Sequence, residues 1–322
     1  MSKISSSPLP ERVLQSIEEV DAGLGAAGYI ANEQINTTVY LAHHLKKPIL
    51  VEGPAGVGKT ELAKSIATWL DLPLIRMQCY EGLDESKALY EWKYGKQLLY
   101  TQILKDKIGS VVDTADNLAT ALDKLHSFGD IFFSRQFLEP RPLLRALEQV
   151  RGSVLLIDEI DKSDQEFEAF LLEILSDYQV TVPEIGCVSA LVPPVVLLTS
   201  NSSRDLGDAL KRRCLHLHIG FPDEALELRI IESRVPGLEL RLRQQLVSFV
   251  QQLRALDLKK LPSVSETIDW AKVLLLLHTS VLEVGVVRQT LNVLLKFEAD
   301  IELAQGQLSG MVQKARRDAR LE

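Results

Sequence analysis

Cysteine is scarce in this chain of 322 residues, with three copies. Cys79, Cys187 and Cys214 are too scattered for a CxxC metal pair and too few for a disulfide framework, so all three are expected to be small buried residues. Long apolar runs are also missing. The densest, Val273–Leu277, falls far short of the roughly 18 residues that cross a bilayer, so no membrane span is expected. The first fifteen residues lack a basic stretch followed by an apolar one, so no signal peptide is expected and the chain reads as cytoplasmic. Positive charge is not in surplus: 36 Lys and Arg against 44 Asp and Glu give a net charge of −8, which exerts no general pull on nucleic acid. Repeats and low-complexity tracts are absent too. Apolar residues at 46% and charged residues at 25% suit a globular chain and exclude a disordered tail, a collagen-like fibre or a coiled-coil rod. At about 150 residues per domain, the length suits two domains.

Residues 1–30 carry Ser, Pro and Gly with little periodicity and read as a loose lead-in. From 31 to 222 short apolar runs alternate with amphipathic segments. The runs are Pro48–Glu52, Leu72–Cys79, Val154–Asp158, Val195–Ser200 and Leu215–Phe221. Several are continuously apolar, as in strands covered by helices on both faces, which predicts a parallel five-stranded sheet between helices. Ser163 to Glu166 reads as a capping box opening a helix with Phe167, Phe170, Leu171 and Ile174 on one face. Asp177–Leu191 reads as a hairpin turning at Pro183–Gly186. Beyond residue 222 strand signals stop. Helices are expected over 223–235, 238–256, 265–280 and 284–321, the third with a capping box from Ser263 to Glu266 and the last broken near Gly306 or Gly310. The predicted architecture is α/β followed by a small all-helical domain over 223–322.

Chemistry concentrates in Gly53-Pro54-Ala55-Gly56-Val57-Gly58-Lys59-Thr60, a complete G-x4-G-K-T between an apolar run and a helical segment that opens with Glu61. Glycines let the loop bend so that successive N–H groups face phosphates, and the following helix adds the positive end of its dipole. Lys59 is placed to reach the β- and γ-phosphates of a nucleoside triphosphate such as ATP, and the Thr60 hydroxyl to hold Mg²⁺. Val154-Leu155-Leu156-Ile157-Asp158-Glu159 is a buried strand ending in two acids. That ending puts carboxylates at the sheet edge where ligands bind, Asp158 towards Mg²⁺ and Glu159 towards the attacking water. Asn201, at the tip of Val195–Ser200, either positions that water or caps a turn. Arg212 and Arg213 either supply a finger to a neighbour's nucleotide or form a solvated helix end that suits the dipole.

Other residues read more simply. His43, His44, His216 and His218 lack a Cys or carboxylate at ligand spacing, so metal binding there is not expected. Trp69, Trp92 and Trp270 read as packing residues, and the basic 314–320 stretch as a solvated helix end. Tyr29 and Ile30 are candidates to wall an adenine.

These elements, in this order and followed by helices, resemble the AAA+ P-loop ATPases. More specifically, Tyr80–Tyr94, Glu166–Pro183, Ala209–Cys214 and Pro262–Trp270 resemble the CoxD-like branch of the MoxR family. The resemblance runs from about residue 28 to 300. It implies Walker A at Gly53–Thr60, Walker B at Val154–Glu159, sensor 1 at Asn201 on a strand between the Walker strands, and an arginine finger at Arg213 beside Arg212. It also implies a helix-2 insert within residues 80–110, a pre-sensor hairpin over Gln179–Leu191, hexameric rings, a von Willebrand factor A-domain partner and a metalloenzyme client such as a molybdenum-containing hydroxylase. One departure stands out: Ser265 sits where a sensor 2 arginine is common, with Arg288 as one candidate substitute. The expected function is therefore an ATP-hydrolysing ring chaperone. The alternatives are a nucleic-acid-dependent AAA+ motor and a P-loop kinase; the acidic charge and the Asp-Glu pair weigh against them.

Overall fold

The computed structural model describes residues 14–113, 132–183 and 185–319. Two helices, α1 (Ile17–Ala26) and α2 (Glu33–Leu45), precede β1 (Ile49–Glu52), α3 (Lys59–Leu70) and β2 (Leu74–Gln78). Then come α4 (Glu85–Ala88), β3 (Tyr90–Trp92), α5 (Tyr94–Asp113), β4 (Leu138–Pro140), α6 (Pro142–Leu147) and β5 (Val154–Asp158). The chain continues through α7 (Gln165–Asp177), β6 (Gln179–Val182), β7 (Gly186–Ser189), β8 (Val195–Ser200), α8 (Asp208–Arg213) and β9 (Leu215–His218). Five helices follow: α9 (Glu224–Arg234), α10 (Leu240–Arg254), α11 (Val264–Leu276), α12 (Val284–Leu294) and α13 (Glu298–Asp318).

All five expected strands form one parallel sheet in the order β2-β5-β8-β1-β9. Alternation along each strand feeds two separate cores. On β5, Leu155 and Ile157 join Leu50, Val196 and Leu198 on one face, while Val154 and Leu156 join Ile49, Val51 and Leu197 on the other. Four of the five β5 residues are apolar and all five are buried, so the strand's polar end, Asp158, is held at the carboxyl edge by packing on both faces. The C-terminal helices enclose a third core around Trp270, Phe249 and Leu246. β6 and β7 pair antiparallel as the expected hairpin, and β3, within the stretch where an insert was expected, pairs antiparallel with β4 further along the chain.

Several expectations need correction. The lead-in over residues 1–30 contains α1, whose Val20 and Leu24, one turn apart, are buried against α2 and α3; residues 1–13 lie outside the described residues. Short spacing between Ser16, which caps α1, and Gly28 hid this period. The cap of α7 is Asp164, which accepts from the Phe167 N–H, while the Ser163 hydroxyl turns back to Ile160 O. The last helical stretch breaks at Leu295–Phe297, where Leu295 and Phe297 adopt extended backbone; α13 runs through Gly306 and Gly310, both open to solvent. Glycine within a helix costs only about 1 kcal/mol, and the buried stripe Ala304, Leu308, Met311, Val312 offsets it. Cys187 is exposed on the hairpin, whereas Cys79 and Cys214 are buried.

Candidate nucleotide site

The loop Gly53–Gly58 leaves the end of β1 and turns into α3. Gly53 has φ +145, and a Cβ there would lie 2.0 Å from the Ile219 carbonyl oxygen, so only glycine lets the loop pass β9. Gly58, with φ +103, occupies the left-handed region as it opens α3. Lys59 is 7% exposed, and its Nζ donates to Gly53 O (2.5 Å), Pro54 O (2.7 Å) and Asn201 Oδ1 (2.8 Å). Burial holds the lysine below its ordinary pKa, against the pull of Asp161, Asp158 and Glu159.

The two acids after β5 diverge. Asp158 is 4% exposed and receives Thr60 Oγ1 on Oδ1 at 3.2 Å, together with the Thr199 hydroxyl. Glu159 adopts φ +57 and ψ +50, a left-handed backbone unusual for a non-glycine residue. Its N–H donates to Thr199 Oγ1 (3.0 Å). That turn aims the carboxylate across the edge of the sheet, where Oε1 accepts from Asn201 Nδ2 (3.3 Å) and Oε2 from Gln78 Nε2 (2.7 Å) and Lys162 Nζ (2.6 Å). Asn201 therefore bridges Lys59 and Glu159, beyond the turn-capping alternative. Its own backbone is fixed by Asp161, whose Oδ2 accepts from Asn201 N (3.2 Å), Ser203 N (3.0 Å) and Ser203 Oγ (2.6 Å).

Lys59, Thr60, Asp158, Glu159 and Asn201 thus line one pocket of about 330 Å³. It shares Gly56, Gly58, Glu61 and Ser265 with a cleft of about 620 Å³ walled by Tyr29, Ile30, Val57, Ile219, Phe221 and Ile268, an apolar slot beside a phosphate loop that suits a purine base. Glu61 faces this cleft and accepts from Arg234 Nη2 at 2.7 Å; burial pushes its pKa up, but Arg234 and Lys64 together hold it below the ordinary value. Pro54, Ala55 and Val57 shape the loop between these residues.

The N-terminus of α11 docks on the same loop. Its capping box forms as expected, with Ser263 N donating to Glu266 Oε2 (2.9 Å). Ser265 then meets Gly56 O through both N (3.2 Å) and Oγ (3.3 Å). Ser265 therefore touches the phosphate loop itself. Arg288 is exposed on α12 and lines neither cavity; the C-terminal arginine at the cleft is Arg234. Arg212 and Arg213 are exposed at the end of α8 and line neither cavity.

Two residues that sequence reasoning passed over join the cluster. Arg76 donates to Asp158 Oδ2 through Nη2 (2.6 Å) and Nε (3.1 Å), and to Gln78 Oε1 (2.8 Å). Both sit in β2, whose Leu74-Ile75-Arg76-Met77-Gln78 buries Ile75 and Met77 and turns Arg76 and Gln78 to the other side. The signal was that alternation, inside a run read as simply apolar.

The geometry has its counterpart in known sequences. The profile of the AAA domain (dynein-related subfamily) matches residues 48–214, more than half of the chain. This chain belongs to that family. Among its relatives, uncharacterised proteins of Staphylococcus aureus strains NCTC 8325 and COL are 25% identical over 220 residues, covering 66% of this chain and 70% of theirs. Among solved structures, the RuvB Holliday junction branch migration motor of Thermotoga maritima has a TM-score of 0.43 at 15% identity, covering 82% of this chain and 69% of that one. A point mutant of the same motor has a TM-score of 0.46 at 15% identity, with 88% and 73% covered. AAA domains in general bind and hydrolyse ATP with Mg²⁺. The residues present here fit that pair: glycines with no room for a Cβ at Gly53, a buried lysine on the loop, and a hydroxyl and carboxylate, Thr60 and Asp158, in contact. Among the described residues no helix is long and apolar enough to cross a membrane.

Proposed function

We propose that this AAA-domain protein hydrolyses ATP and acts as a ring-forming remodeller of the MoxR type, CoxD-like branch. The observation that supports hydrolysis best is the continuous chain Lys59–Asn201–Glu159 beside Asp158 and Thr60. In this reading loop N–H groups, Lys59 and the N-terminus of α3 hold the phosphates, while Thr60 and Asp158 hold Mg²⁺. When bound there, Mg²⁺ would supply neutralisation of the charge on the phosphates. Glu159 accepts a proton from the water whose oxygen attacks the γ-phosphorus, Asn201 orients that water, and the bond to the ADP oxygen breaks. Tyr29 and Ile30 wall the base.

Arg213, with Arg212 beside it, is assigned as the finger reaching a neighbour's γ-phosphate; its exposure and its absence from the lining of its own pocket suit a role across a subunit interface. The hexameric ring, a von Willebrand factor A-domain partner and a metalloenzyme client, a molybdenum-containing hydroxylase foremost, rest on the resemblance of the four stretches quoted above. Cytoplasmic residence belongs to the same reading.

The test is ATP turnover against protein concentration for wild type, Glu159→Gln and Arg213→Ala. Glu159→Gln should cut kcat by about 10²–10⁴-fold while leaving nucleotide affinity within a few-fold. Arg213→Ala should abolish the rise of rate with concentration. Turnover unchanged in Glu159→Gln would remove the assigned base.

A further inference from the structure

The most heavily contacted group in the pocket is the Asp158 carboxylate, and one of its contacts has no part in the scheme above. Oδ1 takes the Thr60 and Thr199 hydroxyls. Oδ2 takes Nε and Nη2 of Arg76 together, at 3.1 and 2.6 Å. A guanidinium with two donors on one carboxylate oxygen is a charge-assisted contact that a cation approaching the same oxygen must displace. Arg76 is built to leave. It lies on β2, at the edge of the sheet, with its side chain 52% exposed while the Asp158 side chain is 5% exposed. Water can therefore take up the guanidinium when it withdraws, whereas the buried carboxylate keeps its charge at a cost unless a protein group, a bound cation or a proton compensates it. As it withdraws, Arg76 also releases Gln78 Oε1, and Gln78 is one of the partners of Glu159.

We propose that Arg76 stands in for the divalent cation at Asp158: it neutralises the carboxylate before metal arrives and competes with metal for it. The inference rests on the nucleotide reading above and assigns Arg76 as a positioning residue, not a catalytic one. Two effects of opposite sign follow from removing it. Asp158 becomes easier for a cation to claim. In metal-free buffer, however, the bare carboxylate faces the phosphates and repels them.

The experiment is titration of a fluorescent ADP onto the full chain, in EDTA and across a MgCl₂ series, for wild type, Arg76→Ala and Arg76→Lys. With Arg76→Ala, half-maximal Mg²⁺ should fall about five-fold, the scale of a half-exposed ion pair. Affinity in EDTA should weaken by a similar factor. Arg76→Lys keeps the charge and loses the second donor, so it should fall between the two. Arg76→Gln repeats the test should the alanine variant fail to fold. Affinity weakened alike with and without Mg²⁺ would mean that Arg76 contacts phosphate or only supports the strand, and would overturn the proposal. So would an unshifted or raised Mg²⁺ midpoint. A wild-type chain that binds no nucleotide at any Mg²⁺ concentration would overturn the nucleotide reading and this inference with it, which separates the two failures.

Discussion

Removing Arg254 should unsettle the packing of the C-terminal helices. Arg254 on α10 meets Glu227 on α9 with two parallel contacts, Nη1 to Oε2 and Nη2 to Oε1, both 2.7 Å. Glu227 is 0% exposed and also accepts from Thr267 Oγ1 (2.9 Å) and Gln251 Nε2 (2.9 Å). Arg254 further donates to Pro262 O (2.8 Å), immediately before the α11 capping box. The pair therefore clamps three helices and fixes the turn that carries Ser265 to the phosphate loop. Arg254→Met would leave a fully buried carboxylate with two neutral donors, a state that costs about 3–5 kcal/mol when one partner of a buried ion pair is removed. Because the cost lies in the orphaned charge, Glu227→Leu combined with Arg254→Met should recover much of it. Urea unfolding followed by tryptophan fluorescence, with Trp270 at the centre of this core, measures each single change, Glu227→Leu included, and the double. Nucleotide affinity should drop with the single change and return in part with the double. If the single change cost under about 1 kcal/mol, or the double change cost the sum of the singles, the pair would not hold the helices as argued.

Other outcomes follow from single contacts. Lys59→Ala removes the buried cation from the loop and should weaken nucleotide binding at least ~10-fold, read by equilibrium titration, the scale of a lost charge-assisted hydrogen bond. Gly53→Ala forces a Cβ to within 2.0 Å of Ile219 O and should cost about 2 kcal/mol or more in thermal unfolding, together with most nucleotide affinity. Asp161 supplies an acid limb. Burial pushes its carboxyl up, but Ser203 Oγ and N and Asn201 N outweigh this and hold it below its ordinary 3.8. A depressed folded pKa means the stabilisation is present above 3.8 and is lost as pH falls through that value towards the folded one. Unfolding midpoints between pH 6 and about pH 3 should therefore fall less steeply in Asp161→Asn than in wild type; equal slopes would refute the assignment.

The parts of this site that the sequence displays plainly are those where one short segment carries the whole physical requirement. Gly53–Thr60 needs its glycines for backbone reasons that act within eight residues, and β5 announces itself because burial on both faces leaves no polar residue before Asp158. Arg76 and Gln78 were hidden for the opposite reason. Their role depends on β2 lying next to β5 in the parallel register Gln78↔Asp158, a pairing between segments 80 residues apart that no local pattern encodes. The same holds for Ser265, where the capping box from Ser263 to Glu266 was legible but its destination, Gly56 O, was not. Glu159 is the intermediate case. Its place after the strand is local, but its left-handed backbone and its reach to Asn201 and Gln78 depend on Thr199 of the adjacent strand taking the Glu159 N–H. Local sequence thus specifies which groups do chemistry, and sheet order specifies which groups restrain them. The residues that restrain Asp158 and Glu159 should accordingly tolerate substitution with altered metal and nucleotide response, whereas changes to Lys59, Asp158 or Glu159 themselves should remove function outright.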